Sequence, residues 1–312
     1  MRAPWPIIEV HVVSQAKGAL EAFADLDARS RRWGVRTWPD KDGAVVGGQS
    51  EDAVSRAIAW LRKRLGDEMI VGAPQVAYRE TITRRAQIEA THASGGAGES
   101  AKLLLEFEPG KPGSGYQFES RISDRAILGK HVAAVRRALK AAQQAGLLAG
   151  FPVIDFKATL VGGARHDLDS DAASFEATAR SAFRQLREEG EPVLLEPVMR
   201  VEVTTPEDCF GDVIGDLNVR RGQIQVSDQA ASRRVASDQV ALARVPLSNM
   251  FGYANTLRAM TGGVAHFRME FDHHQPIPQM PDPVDDPRFP GAMAMRVGAG
   301  GRSNVVAFSR RA

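Results

Sequence analysis

A short polar stretch, residues 162–170, holds the side chains of this sequence that are best suited to chemistry or recognition. It reads Gly-Gly-Ala-Arg-His-Asp-Leu-Asp-Ser, so the basic pair Arg165 and His166 is followed by Asp167 and Asp169. The two glycines can adopt backbone angles that are closed to other residues, which predicts a tight turn with a polar tip. His166 then either contacts a partner or is incidental beside a helix cap supplied by Asp169 or Ser170.

The chain is not expected to be an enzyme. A histidine beside acids can imitate a hydrolytic or metal site, but Asp167 is only a sequence neighbour of His166, and no nucleophile is marked. Residues 272–274, Asp-His-His, could bind a metal weakly, although a solvated linker fits them better. Cys209 is the single cysteine, so no intrachain disulfide is expected. We therefore expect no catalytic residue, no metal site and no cofactor.

Composition and charge limit the partners. The chain has 312 residues, 43% hydrophobic and 25% charged, which is typical of a folded protein with two or three domains. It has no apolar run near the roughly 20 residues of a membrane helix and no signal-peptide pattern, so we expect a cytoplasmic protein without a membrane partner. The formal net charge is +2, and no segment forms a strongly basic block. Any RNA contact must therefore be local.

The elements on either side of the polar stretch repeat one order. The pattern over residues 1–74 predicts the order β-α-β-β-α-β, with a strong amphipathic helix over residues 51–65. The pattern over residues 198–272 predicts the same order, with Ser248 capping its second helix. This is the order of a ferredoxin-like domain. All the tryptophans lie in the first segment, where an aromatic core is favoured over a binding platform. They are Trp5, Trp33, Trp38 and Trp60.

Residues 75–197 predict a different α+β unit, which carries the polar stretch between a strand over residues 151–161 and a helix over residues 174–188. It begins with a long hairpin whose glycine-rich tip falls at residues 94–99. Because no Lys-Ser/Thr pair and no helix follows these glycines, a mobile hairpin tip is favoured over a phosphate-binding loop. Residues 273–312 form a proline-rich tail, predicted to be an extended linker or surface strap.

Five stretches, in the same order along the chain, resemble translation elongation factor G. They are Gly-Ala-Pro-Gln-Val-Ala-Tyr-Arg-Glu-Thr-Ile at 72–82, His-Asp-Leu-Asp-Ser at 166–170, Val-Leu-Leu-Glu-Pro-Val-Met at 193–199, Gly-Asp-Val-Ile-Gly-Asp-Leu at 211–217 with Arg-Arg-Gly at 220–222, and Val-Pro-Leu-Ser-Asn-Met-Phe-Gly-Tyr at 245–253. The resemblance implies that residues 1–74, 75–197 and 198–272 are similar to the family's third, fourth and fifth domains. The implied fold class is α+β, with two ferredoxin-like βαββαβ domains flanking a ribosomal protein S5 domain 2-like domain that contains a left-handed crossover.

The resemblance also implies a function and its residues. The family's fourth domain reaches the decoding centre of the small ribosomal subunit, where its tip loops support movement of tRNA and mRNA. The matching tip residues are Arg165, His166, Asp167, Asp169, Gly95, Gly96 and Gly98. Histidine and arginine suit this task, since their planar donors stack on bases or bind phosphate. The family's fifth domain lies against the large subunit, and the matching residues are Arg220, Arg221, Phe251 and Tyr253, of which the last two could equally be packing residues.

The sequence also departs from the family. The first tip loop has Ala97, Glu99 and Ser100 where the family commonly has arginine, glutamine and an aromatic residue, and Arg165 replaces a common tyrosine. Gly-Gln-Ser-Glu at 48–51 replaces a Gly-Met-Gly-Glu signature, and the proline-rich tail replaces the family's C-terminal helix. These differences suggest a divergent paralogue.

No Gly-x-x-x-x-Gly-Lys-Ser/Thr phosphate loop occurs in the sequence, so GTP and Mg²⁺ are expected only in a domain that this chain lacks. We expect a monomer whose partners are ribosomal RNA, ribosomal proteins, tRNA and mRNA. Two alternatives stay open: a ribosomal protection or regulatory protein, and an interaction module without a GTPase. Whether the chain is part of a longer factor or stands alone is also left open.

Overall fold

The computed structural model describes residues 6–40, 43–66, 69–93, 100–122, 129–165, 172–225 and 238–278. The chain divides into two compact units. The first unit combines residues 1–78 with 196–276, and the second combines residues 79–195 with 277–312. In the described ranges, the helices are too short or too polar to span a bilayer.

The N-terminal part of the first unit is a ferredoxin-like sheet with its helices. Its elements are β1 Ile8–Val13, α1 Ala19–Ala28, α2 Ser30–Trp33, β2 Val35–Asp40, β3 Gly43–Gly48, α3 Glu51–Leu65, β4 Ile70–Val71 and β5 Gln75–Val76. The antiparallel strands lie in the order β2-β3-β1-β4, and β5 also pairs with β1. This order confirms the predicted β-α-β-β-α-β arrangement.

Helix α3 has the bounds that its sequence predicts. The Ser50 side chain accepts a hydrogen bond from the Ala53 N–H (3.2 Å), which satisfies one of the free donors of the first turn. Acids at positions 51 and 52 begin the helix and three basic residues end it, so both termini complement the helix dipole. The buried face consists of Ala53, Val54, Ala57, Leu61 and Leu65.

The predicted aromatic core of this domain is wrong. Trp33, Trp38 and Trp60 are each only half-buried, and Trp5 lies outside the described residues. The inward positions of α3 and β1 are instead occupied by alanine, valine, isoleucine and leucine, and Phe23 of α1 is buried too. Trp60 stands beside the buried stripe of α3, where it meets Trp33 edge-on with ring centroids 6.0 Å apart.

The second unit holds one mixed sheet with helices on one face. Its elements are β6 Arg79–Ile82, β7 Ala86–Ala93, β8 Ser100–Pro109, β9 Tyr116–Ser120, α4 Gly129–Ala142 with a 3-10 turn Gln143–Ala145, β10 Phe156–Arg165 and α5 Ala172–Glu189. The main sheet has the order β7-β8-β10-β9, in which β8 is antiparallel and β9 parallel to β10. Leu103, Leu105 and Phe107 alternate along the buried face of β8 and share one core with Phe175 and Phe183 of α5.

Strand β10 extends further than the sequence predicts. The glycines at 162 and 163 were expected to form a tight turn, but they continue the strand to Arg165, and neither has a positive φ. A bulge between Leu160 and Gly162 shifts the register, after which Gly162 pairs with Leu104. A Cβ at Gly162 would lie 3.2 Å from the Leu104 Cβ, so the glycine permits close approach rather than a turn.

The C-terminal part of the first unit repeats the topology of the N-terminal part. Its elements are β11 Pro192–Pro206, α6 Glu207–Val219, β12 Gln223–Ile224, β13 Asp238–Pro246 with a 3-10 turn Leu247–Asn249, α7 Tyr253–Thr261 and β14 His266–Pro276. The strand order β12-β13-β11-β14 is equivalent to that of the first sheet, which confirms the predicted internal symmetry. The first residues of β11, up to Leu195, still belong to the second unit and pair with β6.

Two local predictions in this part are wrong. Ser248 lies in the 3-10 turn rather than capping α7, and the helix begins after Gly252, whose φ of 75° suits a glycine. Residues 273–276 continue β14 rather than forming a linker. The His273 ring nitrogen lies 2.7 Å from the Asp272 carboxylate, which also binds Arg244. These neighbours lower the pKa of Asp272, with the His273 hydrogen bond as the largest cause.

Candidate nucleic-acid interface

One end of the second unit's sheet brings together the strand ends that border both predicted tip loops. Strand β8 lies between β7 and β10, and Ser100 at its start pairs with Ala93 at the end of β7. The next residue, Ala101, pairs with Arg165 at the end of β10. The chain therefore leaves the sheet toward residues 94–99 and toward residues 166–171 from the same end.

Most of the predicted tip residues lie outside the described residues. The backbone of Arg165 ends β10, and nothing is described of its side chain. The other predicted tip positions are His166, Asp167, Asp169, Gly95, Gly96 and Gly98. Their contribution to a site stays a prediction.

The helix that follows the second loop is bound to the strand that follows the first. The Thr178 hydroxyl of α5 donates to the Ser174 carbonyl (2.8 Å) and lies 3.3 Å from the Ala101 carbonyl of β8. Phe175 stacks on the His131 ring of α4, with centroids 4.6 Å apart, and both side chains are buried. These contacts fix the described chain on both sides of the interface.

Replacing Thr178 by valine is expected to lower the free energy of unfolding of the second unit by about 1 kcal/mol, since the buried hydroxyl loses its hydrogen bond to the Ser174 carbonyl. Hydrogen exchange of the α5 amides measures the change. The matched control is Thr204→Val, a half-buried threonine of β11 in the first unit. Unchanged exchange in the Thr178 variant would contradict a structural role for this bond.

A buried carboxylate holds the chain that leads into β10. Glu80 is 0% exposed. Its Oε1 accepts from the N–H groups of Ala149 (2.8 Å) and Phe151 (3.0 Å). Its Oε2 accepts from those of Leu147 and Leu148. Four backbone donors thus surround one carboxylate, which satisfies polar groups that would otherwise be buried without partners.

A second buried acid shapes the loop at the opposite end of the sheet. Asp155 accepts from the N–H groups of Gly113 (2.9 Å) and Gly115 (2.7 Å), while its backbone has a φ of 54°. Its own carbonyl accepts from the Gly110 N–H at 2.7 Å. Neither acid was predicted from the sequence to have a role. Glu80 lies within the 72–82 stretch that resembles the family, but nothing local links either acid to amides about 40 to 70 residues away.

An exposed acid on the edge strand β9 lies between two cations. Hydrogen bonds from Arg121, at 3.1 Å, and from Lys157 lower the pKa of Glu119 to about 2. Glu119 is therefore ionised at any pH near neutrality, and the two cations beside it are already paired.

Arg220, predicted to contact the large subunit, is bound within its own domain. Its guanidinium donates to the Asp216 carboxylate (2.7 Å), the Asn249 carbonyl (2.6 Å) and the Thr256 hydroxyl (3.1 Å). The same group lies 4.9 Å from the centroid of the Tyr253 ring. With 16% of its side chain exposed, Arg220 connects α6 to α7.

Tyr253 is a packing residue. Its side chain is 0% exposed, so it offers no surface to a partner, and the predicted alternative of packing at the helix start holds. Burial is the main cause that raises the pKa of Tyr253 to about 12, and Asp216 adds to the effect. Phe251 is half-buried and keeps part of its ring accessible.

Arg221 is more accessible than its neighbour. Its φ of 64° is unusual for a residue with a side chain, and it turns the chain at the end of α6. The guanidinium pairs with Glu196 at 2.8 Å, where the arginine is 34% and the acid 2% exposed. Glu196 also lies near the Ser248 hydroxyl and the Gln275 amide. Of the four predicted large-subunit residues, Arg221 is exposed, Arg220 and Phe251 are half-buried, and Tyr253 is fully buried.

The described residues include no group of three or more potential metal ligands. The strongest geometric feature is therefore the paired strand ends beneath the two loops. Segments that leave a sheet from the same end can contribute to one recognition surface, since binding residues often lie on loops held by a rigid scaffold.

Comparisons with known proteins agree with this architecture. The family description Elongation factor G, domain IV, matches residues 74–191, and Elongation factor G C-terminus matches residues 193–283. The chain is 45% identical over 285 residues to elongation factor G of Hyphomonas neptunium, covering 89% of this chain and 40% of the relative. A crystal structure of a protein from Thermus thermophilus aligns with a TM-score of 0.66 and 30% identity, covering 96% of this chain and 44% of that one.

The fold and these matches define a protein built from elongation factor G domains. The two matched ranges adjoin and together span about two thirds of the chain. The chain belongs to the elongation factor G family, and it contains the family's C-terminal domains. It spans less than half the length of each of these two relatives.

Proposed function

We propose that this chain is the ribosome-binding part of an elongation factor G-like translation factor and promotes tRNA and mRNA translocation when coupled to a GTPase half. The observation that supports this most directly is the pairing of Ala93 with Ser100 and of Ala101 with Arg165. It gives both loops that match the family's tip a common origin on one sheet end.

At the tip, His166 and Arg165 would contact tRNA or mRNA at the decoding centre, since planar nitrogen donors bind phosphate and 2′-hydroxyl groups or stack on bases. Asp167 and Asp169 would shape the loop. The acid at Glu99 repels phosphate, which places most of the RNA contact on the second loop.

On the C-terminal domain, Arg221 and Phe251 would contact the large subunit, while Arg220 and Tyr253 hold the surface in place. The proposed partners are ribosomal RNA and ribosomal proteins, and the chain acts in the cytoplasm as a monomer. Hydrolysis of GTP is assigned to domains outside this sequence, where GTP and Mg²⁺ would bind.

Replacement of His166 by alanine is expected to weaken ribosome binding by the chain, and to slow translocation when the chain is joined to a GTPase half, by about fivefold. Such a loss corresponds to one hydrogen bond of about 1 kcal/mol. Co-sedimentation with ribosomes at moderate salt measures binding, and a fluorescent reporter of mRNA movement measures translocation.

The matched control is Lys111→Ala, an exposed cation just beyond the opposite end of strand β8. It should leave both values unchanged, although it removes a full charge. Absence of ribosome association by the unmodified chain would overturn the proposal. Equal losses in the two variants would show that the tip has no special place in binding.

A further inference from the structure

A basic and aromatic surface lies on the helical side of the N-terminal domain and shares no residue with the interface described above. Trp60 of α3 has the guanidinium of Arg29 at 5.4 Å and that of Arg64 at 5.1 Å from its ring centroid. Trp33 approaches the same ring edge-on. We define the α1–α3 cluster as these residues together with two neighbouring exposed cations. Its members are Arg29, Arg32, Trp33, Trp60, Lys63 and Arg64.

Cations outnumber acids in this cluster. Arg29, Arg32, Lys63 and Arg64 are all exposed. Among the described residues, Arg64 is the one member of the cluster with an acidic partner, Asp25 at 2.6 Å. The nearby Asp27 accepts a hydrogen bond from the Thr37 N–H instead. Among the described residues, these four cations therefore outnumber the neighbouring acids Asp25 and Asp27, although the whole chain carries a formal charge of only +2.

Stacking on an indole prepares an arginine for binding an anion. A guanidinium that lies over an aromatic ring is held in one orientation and keeps its in-plane N–H groups free for a planar, two-bond contact. Phosphate and carboxylate both accept such a contact. The half-buried tryptophans favour a nucleic-acid phosphate over a peptide carboxylate. Each nucleotide presents a base beside its phosphate, whereas an acidic side chain carries no aromatic ring.

We propose that the α1–α3 cluster is a contact surface for the phosphate backbone of RNA, with Arg29 and Arg32 binding phosphates and Trp33 and Trp60 presenting an aromatic edge to the bases. The surface lies on a different domain from the tip loops. It follows from the geometry of the cluster and does not rest on the proposed function.

Binding of a fluorescein-labelled oligouridine of about 12 nucleotides to the purified chain tests this surface. Anisotropy titrations between about 50 and 200 mM salt give the dependence of affinity on salt. The double variant Arg29→Ala/Arg32→Ala is expected to reduce the slope of log affinity against log salt by about 1.4, since each phosphate contact on a single strand contributes about 0.7. Trp60→Leu, which changes no charge, is expected to weaken binding about fivefold through loss of the aromatic edge and a less ordered Arg29.

The matched control is Arg85→Ala/Arg137→Ala, which removes two charges from exposed arginines that already pair with Glu106 and Glu176. It should leave the slope within about 0.3 of the unmodified chain. Circular dichroism confirms that each variant is folded. An unchanged slope in the Arg29/Arg32 variant, or an equal fall in the control, overturns the proposal.

Binding of poly-glutamate but not of RNA would also overturn it, and would assign the surface to an acidic protein segment instead. The ribosome assay of the His166 variant tests the proposed function independently, so failure of that proposal can be distinguished from failure of this one.

Discussion

Replacing Glu80 by glutamine is expected to lower the free energy of unfolding of the second unit by about 3 kcal/mol. Each carboxylate oxygen of Glu80 accepts two backbone N–H groups, and the side chain is fully buried. Glutamine keeps the size of the side chain but presents an NH₂ group where one oxygen stood. Two buried N–H groups then face a donor instead of an acceptor, whichever way the amide is oriented.

The magnitude follows from the cost of unpaired donors. Hydrogen bonds to a charged acceptor contribute about 1.5–3 kcal/mol each, and a buried N–H left without a partner costs about 1–3 kcal/mol. Burying a neutral amide avoids the desolvation of a charge, which offsets part of the loss. The effect remains large because the amides of Leu147, Leu148 and Ala149 have no second acceptor among the backbone hydrogen bonds of the described residues.

The distribution of tryptophans allows the two units to be followed separately. Every tryptophan lies within residues 1–78, so tryptophan fluorescence reports on the first unit alone. Urea unfolding followed by fluorescence should be unchanged in the Glu80→Gln variant. Hydrogen exchange of the amides at 147–151, and of β10 after them, should accelerate by about 100-fold, which corresponds to about 3 kcal/mol.

The control for this substitution is Glu89→Gln, also a glutamate of the second unit. Glu89 is 56% exposed and pairs with Lys102 at 2.7 Å on the open face of the sheet. Its replacement should cost less than about 0.5 kcal/mol, since exposed ion pairs contribute little. Similar losses in both variants would mean that the buried geometry of Glu80 carries no special weight.

The regular elements were predictable because their signals are local. The period of the apolar residues in α3, its serine cap and the acids of its first turn all lie within or directly beside its 15 residues. The repeated β-α-β-β-α-β order then restricts the strand arrangement to one that both sheets of the first unit adopt. The family resemblance supplied the fold of the second unit, which local patterns alone did not specify.

The predictions that failed depended on distant contacts. Gly162 reads as a turn residue, yet it lies in a strand because a bulge at Val161 and the facing Leu104 favour a residue without a side chain. The sequence predicts Trp60 to be a core residue, yet it lies one position before the buried Leu61 of α3 and is therefore only half-buried. Glu80 receives no prediction of its own, because its buried position depends on amides almost 70 residues later in the chain.

The same reasoning separates the two adjacent arginines of the C-terminal domain. From the sequence, Arg220 and Arg221 receive the same prediction, namely that each contacts the large subunit. The structure surrounds the first with partners from α6, the 3-10 turn and α7, and leaves the second partly exposed beside Glu196. Neighbouring positions at a helix end point in different directions, so a shared chemistry does not imply a shared task.

Replacing Arg220 by lysine is expected to lower the free energy of unfolding of the C-terminal part of the first unit by about 2 kcal/mol. Lysine keeps the charge, but its single ammonium cannot bind the Asp216 carboxylate, the Asn249 carbonyl and the Thr256 hydroxyl in three directions or lie flat on Tyr253. Hydrogen exchange of α6 and α7 measures the loss. Arg258→Lys, on the exposed face of α7, is the matched control and should cost less than about 0.5 kcal/mol.

Ribosome binding by the same variant then distinguishes a structural arginine from a contact arginine. If Arg220 acts through the packing of α6 against α7, the Arg220→Lys chain should bind ribosomes normally at temperatures where it remains folded, and lose binding only as it unfolds. Arg221→Lys should behave in the opposite way, with binding weakened by about threefold and stability nearly unchanged, since a half-exposed ion pair contributes less than about 1 kcal/mol. Weakened binding by fully folded Arg220→Lys would place its guanidinium at the ribosome and contradict its internal assignment.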